Sequence, residues 1–417
     1  MKPPAARWRL TGRGVTMLVA GAAIAAVAAR IGEPDVLWIG LLLMLLPAGA
    51  LVVVGQFRPR LKASRGLQPA DVPLGASCRV TLDTRNTADV SFTAATFRDQ
   101  APFQAALDAQ FLVAPGFGMW RQMMTYDLPA TQRGHWRLGP TLATVNDPLG
   151  LATRTWPVLI DEPVLRITPR VWELSQPGDA AAPGSAGDPT PSRVGLAGQD
   201  DVLVREHRHG DDLRRVHWRL SAKVGELMVR LEEHPSDPAV TLLVDNRAAA
   251  HFGDGADSTL EWAISFVASV ATRLLAGRYQ VTITSAEREL IGPGDGEAAP
   301  GEQHMLDVLT DLLPCDDEVL SADLAGGRGD NRQQLLAVTG LLRARDAAIL
   351  THLGSRMELC TALVPEPWAF GADAPLAAEH EAACRTLLDE GWVLGRYGPG
   401  TPVPDAWGAL VGHEGHR

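Results

Sequence analysis

The sequence predicts an α+β multidomain chain. Residues 1–60 read as a transmembrane helical hairpin and 66–172 as a β-sandwich domain. A flexible linker at 176–200 leads to a doubly wound α/β domain at 201–417. Three observations carry this reading. Two long apolar stretches lie near the N-terminus, period-two alternation follows them, and strand–helix alternation with continuous apolar runs takes over after Ala239.

The apolar stretches run from Val15 to Ile31 and from Val36 to Gly55. The second has about the 20 residues that a helix needs to cross a bilayer. The first is shorter and richer in Ala and Gly. Arg30, Gly32, Glu33, Pro34 and Asp35 separate them, which suits a tight turn. Neither Leu41–Leu46 nor Ala48–Val54 has the amphipathic period of a buried core helix. Lys2, Arg7, Arg9 and Arg13 precede the hairpin, and Arg58, Arg60, Lys62 and Arg65 follow it. Basic flanks stay cytoplasmic. The prediction is therefore a multi-pass protein of the cell inner membrane, with two helices and the bulk of the chain in the cytoplasm. A cleaved signal peptide is the rival for the first stretch; the second span and its basic exit argue against it.

Charge supports the division. Residues 1–65 carry nine Lys and Arg against two acids, a sum of +7. The whole chain of 417 residues carries -11, which leaves -18 for the rest. An acidic body of this kind argues against non-specific nucleic-acid binding. Cys78, Cys315, Cys360 and Cys384 form no C-x-x-C pair and read as reduced, structural thiols.

In the second region, Cys78–Asn86 alternates as a half-buried strand does. Val90–Phe97, Trp136–Leu138, Thr141–Val145, Pro157–Ile160 and Val164–Thr168 are further short strands. Residues 176–200 are Pro, Gly, Ala, Ser and Asp with almost no large apolar side chain, a linker composition. Beyond it, Ala239–Asp245 is a continuous apolar run ending in an acid, as in a strand buried on both faces. Asp257–Ala276 has helical spacing, and Val281–Ser285 is the next strand. Gln303–Leu313, Arg332–Arg345 and Leu376–Leu388 read as helices. Ala347–Leu350, Cys360–Val364 and Trp392–Leu394 read as strands.

The densest segment, Val204–Arg230, holds seven cations. Arg205, Gly210, Asp211, Arg214, Arg215, Trp218, Ser221 and Ala222 in it resemble the signature of the bacterial "domain of unknown function 58" family. Lys223 stands where that family has Arg, and His207 where it has Tyr. Arg133–Gly139 and Asp147–Leu151 are similar to the family's β-domain. The resemblance implies a C-terminal von Willebrand factor A-like domain. It also implies a MoxR-type AAA+ ATPase as partner, with a transglutaminase-like membrane protein nearby. A metal-binding von Willebrand site has Asp-x-Ser-x-Ser after its first strand. Here the stretch is Asp245-Asn-Arg247-Ala-Ala249, which keeps the carboxylate and loses both hydroxyls that Mg²⁺ would use. The expectation is no metal there, with Asp245 and Arg247 as an ionic latch or Asp245 as a plain strand-end cap.

Within the signature, Asp211 and Asp212 suit forked hydrogen bonds from Arg205, Arg214 or Arg215, with Trp218 packed beneath. Partner recognition and anion binding are the other uses of such a cluster. His207, His209, His217 and His234 lack a fixed ligand spacing. His413 and His416 are one residue too close for a zincin helix. There is no Gly-rich Walker loop and no G-x-S-x-G elbow. The predicted function is a non-enzymatic, cofactor-free scaffold or adaptor at the membrane, contacting the bilayer and an AAA+ ATPase. An anion- or ligand-binding regulatory module is the alternative, and a hydrolase is the third.

Overall fold

A short strand, β1 (Arg7–Leu10), runs directly into the first apolar helix, α1 (Gly12–Ile31). Thr11 makes the join: its hydroxyl accepts from the Gly14 N–H at 3.1 Å, so the helix starts three residues before the apolar run alone suggests. Gly32, at φ 82°, ends α1 in the left-handed conformation. Helix α2 (Pro34–Gln56) begins two residues later, with proline where its missing N–H costs nothing. In this computed structural model the described residues are 7–56, 61–87, 95–113, 119–158, 163–175, 204–206, 221–222, 225, 227–230, 239–292, 301–321 and 333–414.

At 20 and 23 residues, both helices are long and apolar enough to cross a membrane. They meet through small residues. A Cβ on Gly21 would lie 2.9 Å from the Gly40 carbonyl oxygen, and one on Gly40 would lie 2.7 Å from the Ala25 nitrogen. Backbone contact of this kind drives helix pairing where water supplies no hydrophobic force. Val19, Leu42, Leu45, Val52 and Val53 point outward and are exposed. Gly40→Leu is expected to wedge the helices apart at a cost of about 1–3 kcal/mol. Gly49→Leu, with no atom within 4 Å of its Cβ, should be neutral. Thermal melts in detergent compare the two.

The chain divides into two compact units, Met1–Thr168 and Pro169–Arg417. In the first, the strands are β2 (Leu61–Gln68), β3 (Asp71–Pro73), β4 (Ser77–Asn86), β5 (Ala95–Ala101), β6 (Gln104–Val113), β7 (Trp120–Pro129), β8 (Gly134–Arg137), β9 (Leu142–Asn146), β10 (Ala152–Pro157) and β11 (Val164–Thr168). They form sheets β1-β10-β9-β5-β6, β2-β4-β7 and β3-β11-β8. Leu82 and Met124 of the second sheet share a core with Phe97, Ala143 and Val145 of the first. Strand β4 buries Cys78, Val80, Leu82, Thr84 and Asn86, the alternation its sequence shows.

One correction concerns Arg65. Sequence reading placed it among the cations flanking the membrane. It sits on β2, fully buried, with its guanidinium forked onto Asp99 and donating to the Leu138 and Gly139 carbonyls at 3.2 and 2.9 Å. The Tyr126 hydroxyl donates to Asp99 at 2.6 Å and the Thr141 hydroxyl at 2.9 Å. Burial and the Asp99 charge push the Tyr126 phenol well above its ordinary value.

In the second unit, β12 (Val204–Glu206) pairs antiparallel with β13 (Met228–Arg230). The main sheet holds β14 (Ala239–Val244), β15 (Gln280–Thr284), β16 (Glu289–Ile291), β17 (Gln334–Val338), β18 (Leu359–Pro365) and β19 (Val393–Tyr397), in the order β16-β15-β14-β17-β18-β19. All neighbours are parallel except β16, which runs antiparallel to β15. Helices α3 (Thr259–Ala276), α4 (Glu302–Thr310) and α7 (Val403–Glu414) cover one face, packing Ile264, Val267, Leu309 and Trp407 on Leu242 and Val244. Helices α5 (Ala344–Gly354) and α6 (Ala374–Asp389) cover the other, packing Leu350 and Leu387 on Leu243 and Leu335. Helix α3 is apolar enough to resemble a membrane span, but its apolar residues are consumed by this core.

Two predicted elements are exchanged. The segment read as a helix over Arg332–Arg345 contains strand β17, and the strand read at Ala347–Leu350 is part of helix α5. Leu335, Ala337 and Val338 are almost wholly buried between β14 and β18. Lateral pairing in a two-sided sheet overrides the helix preference of Leu and Ala.

Candidate functional site

Numbered by chain order, the main sheet runs 3-2-1-4-5-6, and its order reverses between β14 and β17. Ligands of open α/β sheets bind outside the carboxyl ends of the strands at that point. Asp245 follows β14 directly, and Thr339 and Gly340 follow β17. Their loops are drawn together across the crevice. A Cβ on Gly340 would come within 2.2 Å of the Ala250 carbonyl oxygen, and the Leu341 N–H donates to that oxygen at 2.7 Å.

The crevice is filled by a charge network. The Arg247 guanidinium donates from Nε and Nη2 to the two Asp245 oxygens at 2.9 and 2.8 Å. Its Nη1 donates to Asp346 at 2.8 Å and to the Glu318 carbonyl at 3.1 Å. Asp245 and Asp346 have no exposed surface and Arg247 is 1% exposed. Backbone donors complete the carboxylates. The Gly340 and Arg247 N–H groups reach Asp245 at 3.1 Å each, and those of Leu320 and Arg343 reach Asp346 at 3.1 and 2.9 Å. Burial alone would raise the Asp245 carboxyl, but the bonds and charge of Arg247 outweigh it and hold it below its ordinary range. Ala249 stands exposed on a single 3₁₀ turn beside the network.

His251 closes one side. Its Nε2 lies 2.7 Å from the Asp245 backbone carbonyl, which only accepts, so Nε2 carries a proton. Its Nδ1 accepts from the Thr259 hydroxyl at 2.9 Å. Burial pushes the imidazole below its usual pKa despite the Asp245 charge, so the neutral ring fits both bonds. On the other side Asn246 donates to the Leu313 carbonyl at 2.8 Å and accepts from the Ala286 N–H at 3.0 Å. Close by, Glu287, Cys315 and Asp317 bring three possible metal-ligand atoms within 4.8 Å of one another. The two carboxylates are exposed, and burial raises the Cys315 thiol above its ordinary value, which disfavours the thiolate a metal needs.

Asp245 and Arg247 thus come together as the sequence suggested, and Asp346, Gly340 and His251 join them without having been singled out. Asp346 had one local signal. It is the third residue of α5 and its side chain caps the helix, a place where an acid is favoured. The Arg-rich signature is only partly visible. The Arg205 backbone lies on β12 opposite Val229. Ser221 is buried and its hydroxyl accepts from the Met228 N–H at 2.8 Å, which ties the end of the signature to β13. Gly210, Asp211, Arg214, Arg215 and Trp218 lie outside the described residues, as do His207, His209, His217, His234, Lys223 and the 176–200 linker.

The family model described as "Protein of unknown function DUF58" matches residues 203–352. The chain carries a DUF58 domain. The match begins at β12 and ends within α5, so Asp245, Arg247 and Asp346 all belong to the DUF58 segment. No curated protein matches the chain significantly. Among solved structures, a CARDB domain from Pyrococcus furiosus is 17% identical over 25% of this chain and 96% of its own, with a TM-score of 0.18. A beta-glucosidase from Listeria innocua is 14% identical over 24% of this chain and 16% of its own, with a TM-score of 0.16. Cwp6 from Clostridium difficile is 10% identical over 85% of this chain and 39% of its own, with a TM-score of 0.17. Likeness at this level carries no information on the DUF58 fold or its activity.

Proposed function

We propose that this DUF58 protein is a membrane-anchored, non-enzymatic scaffold or adaptor that presents a protein-interaction surface to a MoxR-type AAA+ ATPase at the cytoplasmic face. One observation carries the reading. The crevice where a sheet of this order would hold a ligand is occupied by the chain's own Asp245–Arg247–Asp346 network. With the carboxylates satisfied internally, the α/β domain is left to act through its outer surface. The doubly wound sheet also agrees with a von Willebrand A-like domain whose metal site has degenerated. Titration calorimetry with Mg²⁺ or Mn²⁺ is expected to show no binding heat that Asp245→Ala removes, and a divalent site lost in that variant would refute this part.

The anchoring half has its own support. Both ends of the hairpin are tied to the β-domain. The Thr11 hydroxyl donates to the Gly150 carbonyl at 2.6 Å, and Arg154 donates to the Gly55 carbonyl at the end of α2 at 3.0 Å. The N-terminal strand and the β-domain therefore share one side of the membrane in this reading, and the basic flanks favour the cytoplasm for it. A reporter fused after Arg417 should be active only when its function requires the cytoplasm; periplasmic activity would overturn the orientation. Partner binding through Arg214 and Arg215 should weaken with salt, since exposed charge pairs are screened. Capture of the ATPase unchanged by Arg214→Ala/Arg215→Ala, at low and high salt alike, would assign these arginines to a structural network instead.

A further inference from the structure

We propose that the face formed by β1 and the first turn of α1 binds the phosphate headgroups of anionic phospholipids, holding the β-domain against the bilayer; this rests on the membrane-spanning reading of α1 and α2. Arg7, Arg9 and Arg13 are exposed, as is Lys62 near the start of β2. Among the described residues none of these four has an ion-pair partner. Elsewhere in the same unit exposed arginines are paired or scattered: Arg79 meets Asp127, Arg85 and Arg121 share Asp83, and Arg30 and Arg137 stand singly. Arg7, Arg9 and Arg13 thus form a run of unpaired cations within seven residues where the chain meets the hairpin.

The backbone that carries them is already fixed. Residues 7–10 pair with Thr155–Ala152 of β10, and the Thr11 N–H donates to the Leu151 carbonyl at 2.8 Å. Gly14 is pressed against the same turn, where a Cβ would meet the Leu151 oxygen at 2.1 Å. Little chain entropy is left to lose when a headgroup binds. Guanidinium forks match phosphate oxygens bidentately, which suits lipid phosphate better than a diffuse charge would.

Two tryptophans set the depth. Trp8, 63% exposed, lies over the end of α2, where a Cβ on Gly55 would come within 2.7 Å of its ring. Trp38, 69% exposed, stands near the start of the same helix. The intervening residues span about 25 Å of helix, close to the thickness of a bilayer's hydrocarbon core. Tryptophan collects at both interfaces, so Trp8 places Arg7 and Arg9 at headgroup level.

The test is native mass spectrometry of the full chain in detergent, titrated with phosphatidylglycerol or phosphatidylcholine. Retention of phosphatidylglycerol should be about tenfold stronger and should fall several-fold in high salt. Arg7→Gln/Arg9→Gln/Arg13→Gln should abolish the preference, while Arg7→Lys/Arg9→Lys/Arg13→Lys, which keeps the charge and loses the fork, should retain only part of it. Equal retention of the two lipids by the wild type, or an undiminished preference in the glutamine variant, would overturn the inference. Resistance of the chain to alkaline extraction from membranes is read in parallel. Release at that step would refute the membrane-spanning reading, whereas resistance without lipid preference would refute the lipid site alone.

Discussion

Arg247→Ala is expected to destabilise the C-terminal unit by about 3–5 kcal/mol, because removing one partner leaves uncompensated buried charge. Asp245 and Asp346 would face each other with no cation between them. The pH dependence should change sign. In the wild type the Asp245 carboxyl titrates below its ordinary 3.8, so its contribution is present above that value and is lost as pH falls through the lowered pKa. In the variant the buried Asp245 carboxyl, without its cation, must titrate above the unfolded value. Its protonated form then favours folding in acid, and that support is lost as pH rises. Urea melts at pH 5 and pH 8 check this. The gap between wild type and variant should be wider at pH 8, and an equal or narrower gap there would mean that Arg247 is not what keeps Asp245 ionised.

Asp99→Ala should cost the β-domain a similar amount, about 3–5 kcal/mol, since it strands the buried Arg65 guanidinium. The Tyr126 and Thr141 hydroxyls lose their acceptor in the same step. Arg65→Met should be milder, because Asp99 keeps both hydroxyls and the Gln100 N–H at 3.1 Å. Hydrogen exchange at the amides of β4 and β5 in the full chain reads the difference. Faster exchange in Arg65→Met than in Asp99→Ala would reverse the assigned roles.

Much of the architecture was legible. The hairpin helices follow from apolar length alone, because lipid leaves few other solutions for such segments. Strand β4 follows from its alternation and β14 from its continuous apolar run, which are local consequences of one-sided and two-sided burial. Strand β17 was not legible. Four of the five residues of Gln334-Leu-Leu-Ala-Val338 are good helix formers, and its neighbours on either side make it a strand. Strand β1 was hidden for a related reason: the four residues Arg-Trp-Arg-Leu are too few to carry a pattern until β10 pairs with them.

The site was half legible. Asp245 and Arg247 are two residues apart, so a guanidinium beside a strand-end carboxylate follows from sequence. Asp346 reaches the same guanidinium from 99 residues away, a separation that no local pattern reports. Arg65 misled in the opposite direction. Its position after an apolar span fits a membrane flank, and only the fold brings Asp99 to it from 34 residues on. Charge near a membrane helix is therefore best counted after ion pairs are known, and on that count Arg7, Arg9, Arg13 and Lys62 remain on the β-domain side of the hairpin among the described residues.

The adaptor reading is tested most directly by measuring binding of the detergent-purified full chain to a purified MoxR-type AAA+ ATPase, with ATP and with ADP. The account predicts a complex at micromolar or tighter affinity, on the order of -8 kcal/mol, in which Asp245→Ala affects binding only through the stability of the domain. Absence of a complex in either nucleotide state, with both proteins folded, would contradict it.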